Sequence, residues 1–176
     1  PMGPTGLADT MKNRRLYFTA PHQCAVREES LPAVASDQLL VQARCSSISA
    51  GTEMLVFKGR IPAGMRVDET LSSYAGRRFE YPLAYGYSSV GEVAAVGAQV
   101  NPDWIGARVF AFRPHQSHYL ARATELIRLP PEVADEDGVF LAAMETAVNL
   151  VMDGLQPYLD AVPEMKEEMA PARSRA

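Results

Sequence analysis

The sequence predicts a mainly β fold: a small, partly open barrel of short strands, with short helices and a helical tail. Three observations carry this reading. Short runs rich in Val, Leu and Tyr recur between turn residues over the first two-thirds of the chain. After the Pro130-Pro131 break the hydrophobic period becomes helical. The chain has 176 residues, 47% apolar and 22% charged, enough for one domain with a core plus an extension.

In chain order, "RRLYFTA" (14–20), "CAVREESL" (24–31) and "QLLVQARCSSIS" (38–49) read as strands. "PHQ" and "PAVASD" between them are turn chemistry. "GTEMLVFKG" (51–59) reads as one short helix, with Thr52 able to cap it and Gly59 closing it. Residues 60–80 are polar, with Pro62, Gly64 and Gly76, and form a long loop. In "YPLAYGYSSVGEVAAVG" (81–97), residues 89–97 alternate as a strand. Gly86 and Gly97 are expected to make tight turns, and Gly91 to permit a close strand approach. "NPDWIGARVFAF" (101–112) is a turn and a strand, and "SHYLARATELIRLP" (117–130) is the last extended run. Acidic residues then lead into Phe140, Leu141, Met144, Val148 and Val151 at helical spacing. The expected division is a leader or disordered segment over 1–10, the barrel over 11–131, a helix over 132–154, and a helical or disordered tail over 155–176. Met11 is the expected natural start.

The composition excludes several classes. A net charge of −4 without a Lys/Arg stripe gives no footprint for nucleic acid. No apolar run is long enough to span a bilayer and no signal pattern opens the chain, so a cytoplasmic protein is expected. Cys24 and Cys45 lack CxxC spacing and are expected as two buried small apolar residues in a reducing compartment. His22, His115 and His118 are not spaced as a metal set with Cys45 and are expected as partly exposed loop histidines. Gly86 and Gly91 have P-loop separation, but Glu92 and a strand follow, so no phosphate cradle is expected. A Gly-rich strand–turn–helix dinucleotide fingerprint is absent from the sequence.

The order "VQARCSSISAGTE", "YPLAYGYSSVGEVAAVG", "WIGARVFAF", "SHYLARATELIRLP", "ADEDGVFLAAMETAV" resembles the N-terminal catalytic domain of the medium-chain dehydrogenase/reductase superfamily. That domain has a GroES-like fold, and the resemblance covers residues 14 to about 153. The "ISAGTE" segment is similar to the bacteriochlorophyllide dehydrogenase branch. The resemblance implies a cleft between the barrel and a nucleotide-binding domain. It also implies NAD(P)-dependent chemistry on a small carbonyl, alcohol or activated alkene. Metal-dependent members carry a Cys ligand around residue 49, Gly-His-Glu around residue 86, and a further Cys near residue 142. Here those positions are Ser49, Gly86-Tyr87-Ser88 and Ala142. Zinc needs thiolate, imidazole or carboxylate donors, so no zinc is expected.

The cleft-facing candidates that the resemblance implies are Ser49, Thr52, Glu53, Tyr87 and Glu145, with Thr146 near the nicotinamide. Tyr87 would donate a proton or hydrogen bond to a substrate oxygen, and Glu53 and Glu145 would serve as acid or base. The plain alternatives are a packing role for Tyr87 and a helix-dipole role for Glu53. In the family a dinucleotide-binding domain follows the "METAV" helix, whereas this chain continues as "LQPYLDAVPEMKEEMAPARSRA". The chain alone is therefore expected to be inactive and to bind NAD(P)H weakly. Several accounts stay open: a truncated dehydrogenase, a barrel working with a Rossmann partner in trans or as a homo-oligomer, and a non-catalytic binding or assembly module. A metal-free isomerase or cyclase using Tyr87 and Glu145 is a further one. Phe140, Met144 and Val148 are expected to form an apolar surface that needs cover.

Overall fold

A computed structural model describes residues 11–62, 64–67, 74 and 76–161, with side chains to residue 155. The readings for residues 1–10, for much of the 60–80 loop and for the tail beyond 161 lie outside the described residues. The chain divides into two compact units, Pro1–Leu141 and Ala142–Ala176.

Strands β1 (Lys12–Ala20) and β2 (Gln23–Ser30) form an antiparallel ribbon. Its outer strand is exposed along most of its length, so cross-strand pairs hold it in place of a core. Lys12 pairs with Glu28 at 2.7 Å, Tyr17 donates its hydroxyl to Glu29, and Arg27 lies over the Tyr17 ring at 5.0 Å.

The main sheet is antiparallel with order β6-β3-β4-β5-β7. It comprises β3 (Leu39–Ser46), β4 (Ser89–Val96), β5 (Arg108–Ala111), β6 (His118–Ala121) and β7 (Ile127–Arg128). The sheets stay open, as the partly open barrel predicts. Leu39, Val41, Val93, Val109, Tyr119 and Leu126 are central to its core. The single run expected over 117–130 is two strands, separated by a 3-10 turn at Ala123–Glu125. The Glu125 carboxylate accepts the Arg122 N–H at 2.7 Å, and this local bond competes with the ladder.

Two register shifts curve the β3–β4 pair. Gly91 permits the expected close approach: a Cβ there would lie 2.5 Å from the Gln42 carbonyl oxygen. Gly97 opens a turn, with Val100 N–H to its carbonyl at 3.0 Å. What requires a glycine there is closeness, since a Cβ would lie 2.0 Å from the Ala35 carbonyl oxygen.

A second core joins Phe18, Val56, Val67, Tyr74, Leu83 and Tyr85. Helix α1 (Thr52–Phe57) contributes Val56 to it. The N-terminal cap differs from expectation: Ser49 Oγ accepts the Thr52 N–H at 3.2 Å, so Ser49 and not Thr52 satisfies that donor. Gly59 closes the helix as expected, at φ 65°. Its N–H reaches the Val56 carbonyl at 3.0 Å and Arg60 N–H reaches Leu55 at 2.9 Å, the paired bonds of a Schellman motif.

The chain then forms α2 (Asp135–Gly138) and α3 (Leu141–Ala161). Asp135 accepts Arg44 Nε at 2.6 Å and Arg108 Nη1 at 3.1 Å, which fastens α2 to β3 and β5. Phe140, Met144, Val148 and Val151 are exposed.

The cysteines depart from the sequence reading. Cys24 is exposed, with no layer over that face of β2 among the described residues. Cys45 is half-buried and donates its Sγ–H to the Asp135 carbonyl at 3.3 Å. Burial, then Asp135 and Glu136, push its thiol above the usual range. Iodoacetamide at neutral pH is expected to label Cys24 well before Cys45, as read by peptide mass spectrometry. Gly91→Ala is expected to lower stability by about 1–3 kcal/mol, measured by denaturant unfolding.

Candidate active site

Glu53 stands in the first turn of α1 and is 1% exposed. A carboxylate so deeply buried needs partners. Its Oε2 lies 2.8 Å from His115 Nε2, and the other imidazole nitrogen, Nδ1, lies 2.8 Å from Ser46 Oγ. Ser46 is exposed at the end of β3. The three side chains thus form a line from a buried carboxylate, through an imidazole, to a hydroxyl at the surface. With Nε2–H donating to Glu53, Nδ1 accepts the Ser46 hydroxyl proton.

Backbone contacts deliver His115. Its carbonyl accepts Leu16 N–H at 2.9 Å, and Ser117 N–H reaches the Arg14 carbonyl at 2.9 Å. The ring packs against Gly86, which sits at φ 135°. A Cβ at that position would lie 2.8 Å from His115 Nε2, so the position needs glycine both for its backbone and for the ring. The buried Tyr74 hydroxyl donates to the Gly86 carbonyl. Burial, then Tyr85 and Glu53, push the Tyr74 pKa far up, against a smaller opposing pull from Arg77 and Arg113. Glu53 Oε1 is buried without a hydrogen-bond partner among the described residues.

The expectation that His115 is a partly exposed loop histidine is therefore corrected: it is buried and paired on both nitrogens. His22 is exposed, with its ring edge-on to Phe57. His118 is half-buried on β6, and burial followed by Arg14 lowers its pKa.

Of the residues picked from sequence, Glu53 joins this array, while Ser49 and Thr52 serve the start of α1. Tyr87 is half-buried and packs edge-on against Tyr85 at 6.2 Å. On α3, in the second unit, Glu145 is exposed and Thr146 Oγ1 donates to the Ala142 carbonyl at 3.1 Å. Ser46 and His115 are absent from the sequence-derived set. His115 and Glu53 lie 62 residues apart, and no local pattern in either segment points to the other.

The array offers proton transfer along a line. It is less suited to acyl transfer, because the Ser47 N–H beside Ser46 is already bonded to the Ser88 carbonyl at 3.0 Å and does not serve an oxyanion. Metal binding finds two donors here, Glu53 and His115, and no group of three His, Cys, Asp or Glu occurs among the described residues. That donor set does not fit zinc. A dinucleotide is held at the helix N-terminus of a parallel βαβ unit. All strand pairings among the described residues are antiparallel, so these residues do not fit the dinucleotide either.

No protein-family profile matches the chain, and no curated protein aligns with it. Solved structures do match. A mutant form of enoyl thioester reductase from Candida tropicalis superposes with TM-score 0.56 at 16% identity, covering 74% of this chain and 40% of that one. 2R,3R-butanediol dehydrogenase from Bacillus subtilis gives 0.56 at 16%, covering 73% and 43%. A short chain alcohol dehydrogenase from E. coli CFT073, complexed with the cofactor NADH, gives 0.54 at 17%, covering 73% and 42%. The fold is GroES-like. These neighbours are medium-chain dehydrogenases/reductases, and at such identities the fold is what the chain shares with them. The GroES-like chain spans about two-fifths of the length of each.

His115→Ala strips Glu53 of its partner and is expected to cost about 3 kcal/mol or more in urea unfolding. Ser46→Ala, at the wet end, is expected to cost about 1 kcal/mol.

Proposed function

We propose that this chain is the substrate-side barrel of an NAD(P)-dependent oxidoreductase acting on a small carbonyl, alcohol or activated alkene without catalytic zinc. The observation that carries the reading is the Ser46–His115–Glu53 line, set in a fold shared with oxidoreductases. A redox step on an alcohol or carbonyl also needs a proton acceptor or donor at the oxygen. Ser46 Oγ takes the alcohol proton as its own proton passes to His115 Nδ1, and Glu53 steadies the resulting imidazolium through Nε2–H. Carbonyl reduction runs the same line backwards. Tyr87, packed against Tyr85, is a further hydroxyl candidate for the substrate oxygen. A nicotinamide, if bound, would supply or accept the hydride, and the described residues are not the ones that would hold its dinucleotide.

A second reading, an interaction module, draws on the exposed Met144, Val148 and Val151 of α3. Its signature is self-association that Val148→Glu abolishes, followed by light scattering.

Small ketones and enones titrated into ¹⁵N-labelled protein test the redox reading. Saturable shifts at Ser46, Gly86 and His115 are expected, and Glu53→Gln is expected to weaken them. NADPH binding by calorimetry is expected to be weaker than micromolar, and zinc by elemental analysis well below one per chain. A panel in which no carbonyl or alkene binds, or one tightly held zinc per chain, overturns the reading.

A further inference from the structure

Where β1 crosses the segment joining β5 to β6, the barrel has a cleft of about 240 Å³. Arg15, Arg77, Arg113, Gln116 and Tyr119 line it, and no carboxylate is among the described lining residues. Three guanidinium groups surround this volume, two of them paired with carboxylates outside the lining, Arg15 with Glu29 and Arg113 with Glu125. The chain as a whole is acidic, with a net charge of −4, so the cluster is not part of a generally basic surface.

The Arg15, Arg113 and Gln116 side chains are held in place. Gln116 Oε1 accepts both Asn13 Nδ2 at 3.1 Å and Arg15 Nε at 2.8 Å. That occupies the oxygen and leaves the Gln116 amide nitrogen as a donor. The same bond ties down Arg15 Nε while a longer contact of 3.4 Å runs from Nη1 to Glu29. Arg113 is steadied by Glu125 at 2.9 Å and by the Tyr119 ring at 5.7 Å. The backbone of Arg77 is pinned at both ends, its N–H to Tyr74 at 2.9 Å and its carbonyl to Val67 at 3.0 Å. Burial pushes the Tyr119 hydroxyl up to about 12, so no phenolate adds negative charge.

We propose that this cleft binds the oxyanion head group, phosphate or carboxylate, of a small molecule. Guanidinium forks match such groups bidentately, and a cleft of this size has room for a head group. The proposal is independent of the redox reading, because its evidence lies in the cleft alone.

The test titrates inorganic phosphate and, separately, acetate into the full chain at constant ionic strength, with arginine Nε and glutamine side-chain signals as the readout. Saturable shifts at Arg15, Arg77 and Gln116 are expected. Arg77→Ala is expected to weaken binding about tenfold or more. Arg77→Lys, which keeps the charge and loses the fork, is expected to fall between. Arg122→Ala removes an equal charge at an exposed ion pair with Asp37 and is expected to change nothing. Tighter phosphate assigns a phosphorylated ligand, and tighter acetate a carboxylate. Absence of saturable shifts with either anion overturns the proposal. So does equal weakening by Arg122→Ala, or binding that survives both Arg77→Ala and Arg15→Ala.

Discussion

The burial of Glu53 is the constraint around which this barrel is arranged. A carboxylate at 1% exposure is tolerable only with a partner of matching chemistry, and that partner comes from the far end of the barrel sequence. The segment carrying His115 is bonded to β1 through the His115 carbonyl and the Ser117 N–H. Position 86 loses its side chain to make room for the ring. The Tyr74 hydroxyl then holds the Gly86 carbonyl. Ser46, at the strand end, completes the imidazole's second bond. Each of these choices follows from the one before, and together they tie β1, β3, α1 and the 81–87 segment to a single imidazole.

Elements whose cause is local were legible in the sequence. β1 to β5 carry their own apolar runs, and α1 ends at a glycine whose left-handed φ closes it. The close approach at Gly91 was readable as backbone chemistry, whereas Gly86 makes no tight turn and is a glycine for its φ of 135° and the His115 ring. What escaped has non-local causes. His115 sits between Pro114 and Gln116 and reads as loop, because the carboxylate that draws it inward belongs to another element. Ser46 reads as the polar end of a strand. The split of the 117–130 run depends on one Glu125 carboxylate choosing a backbone N–H, a choice that apolar patterning does not encode.

The 113–117 segment serves two environments at once. His115 turns inward to Glu53, while Arg113 and Gln116 line the cleft on the other side. At the Tyr74 hydroxyl burial dominates, with smaller and opposed pulls from Glu53 and from Arg77 and Arg113. The Tyr74 hydroxyl is hydrogen-bonded to Gly86, and Gly86 is the residue against which the imidazole rests.

A GroES-like frame does not by itself decide chemistry, since one fold hosts many sites. The positions that the family resemblance marks as metal-binding carry hydroxyls and a methyl group, and the described barrel offers two donors at its buried centre. A metal works on a carbonyl by polarising it and by lowering the pKa of what it binds. A hydroxyl–imidazole–carboxylate line works on the same oxygen by moving a proton. On the proposed reading the line would stand where a metal otherwise works, and the geometry suits it, because the imidazole has a buried carboxylate 2.8 Å away.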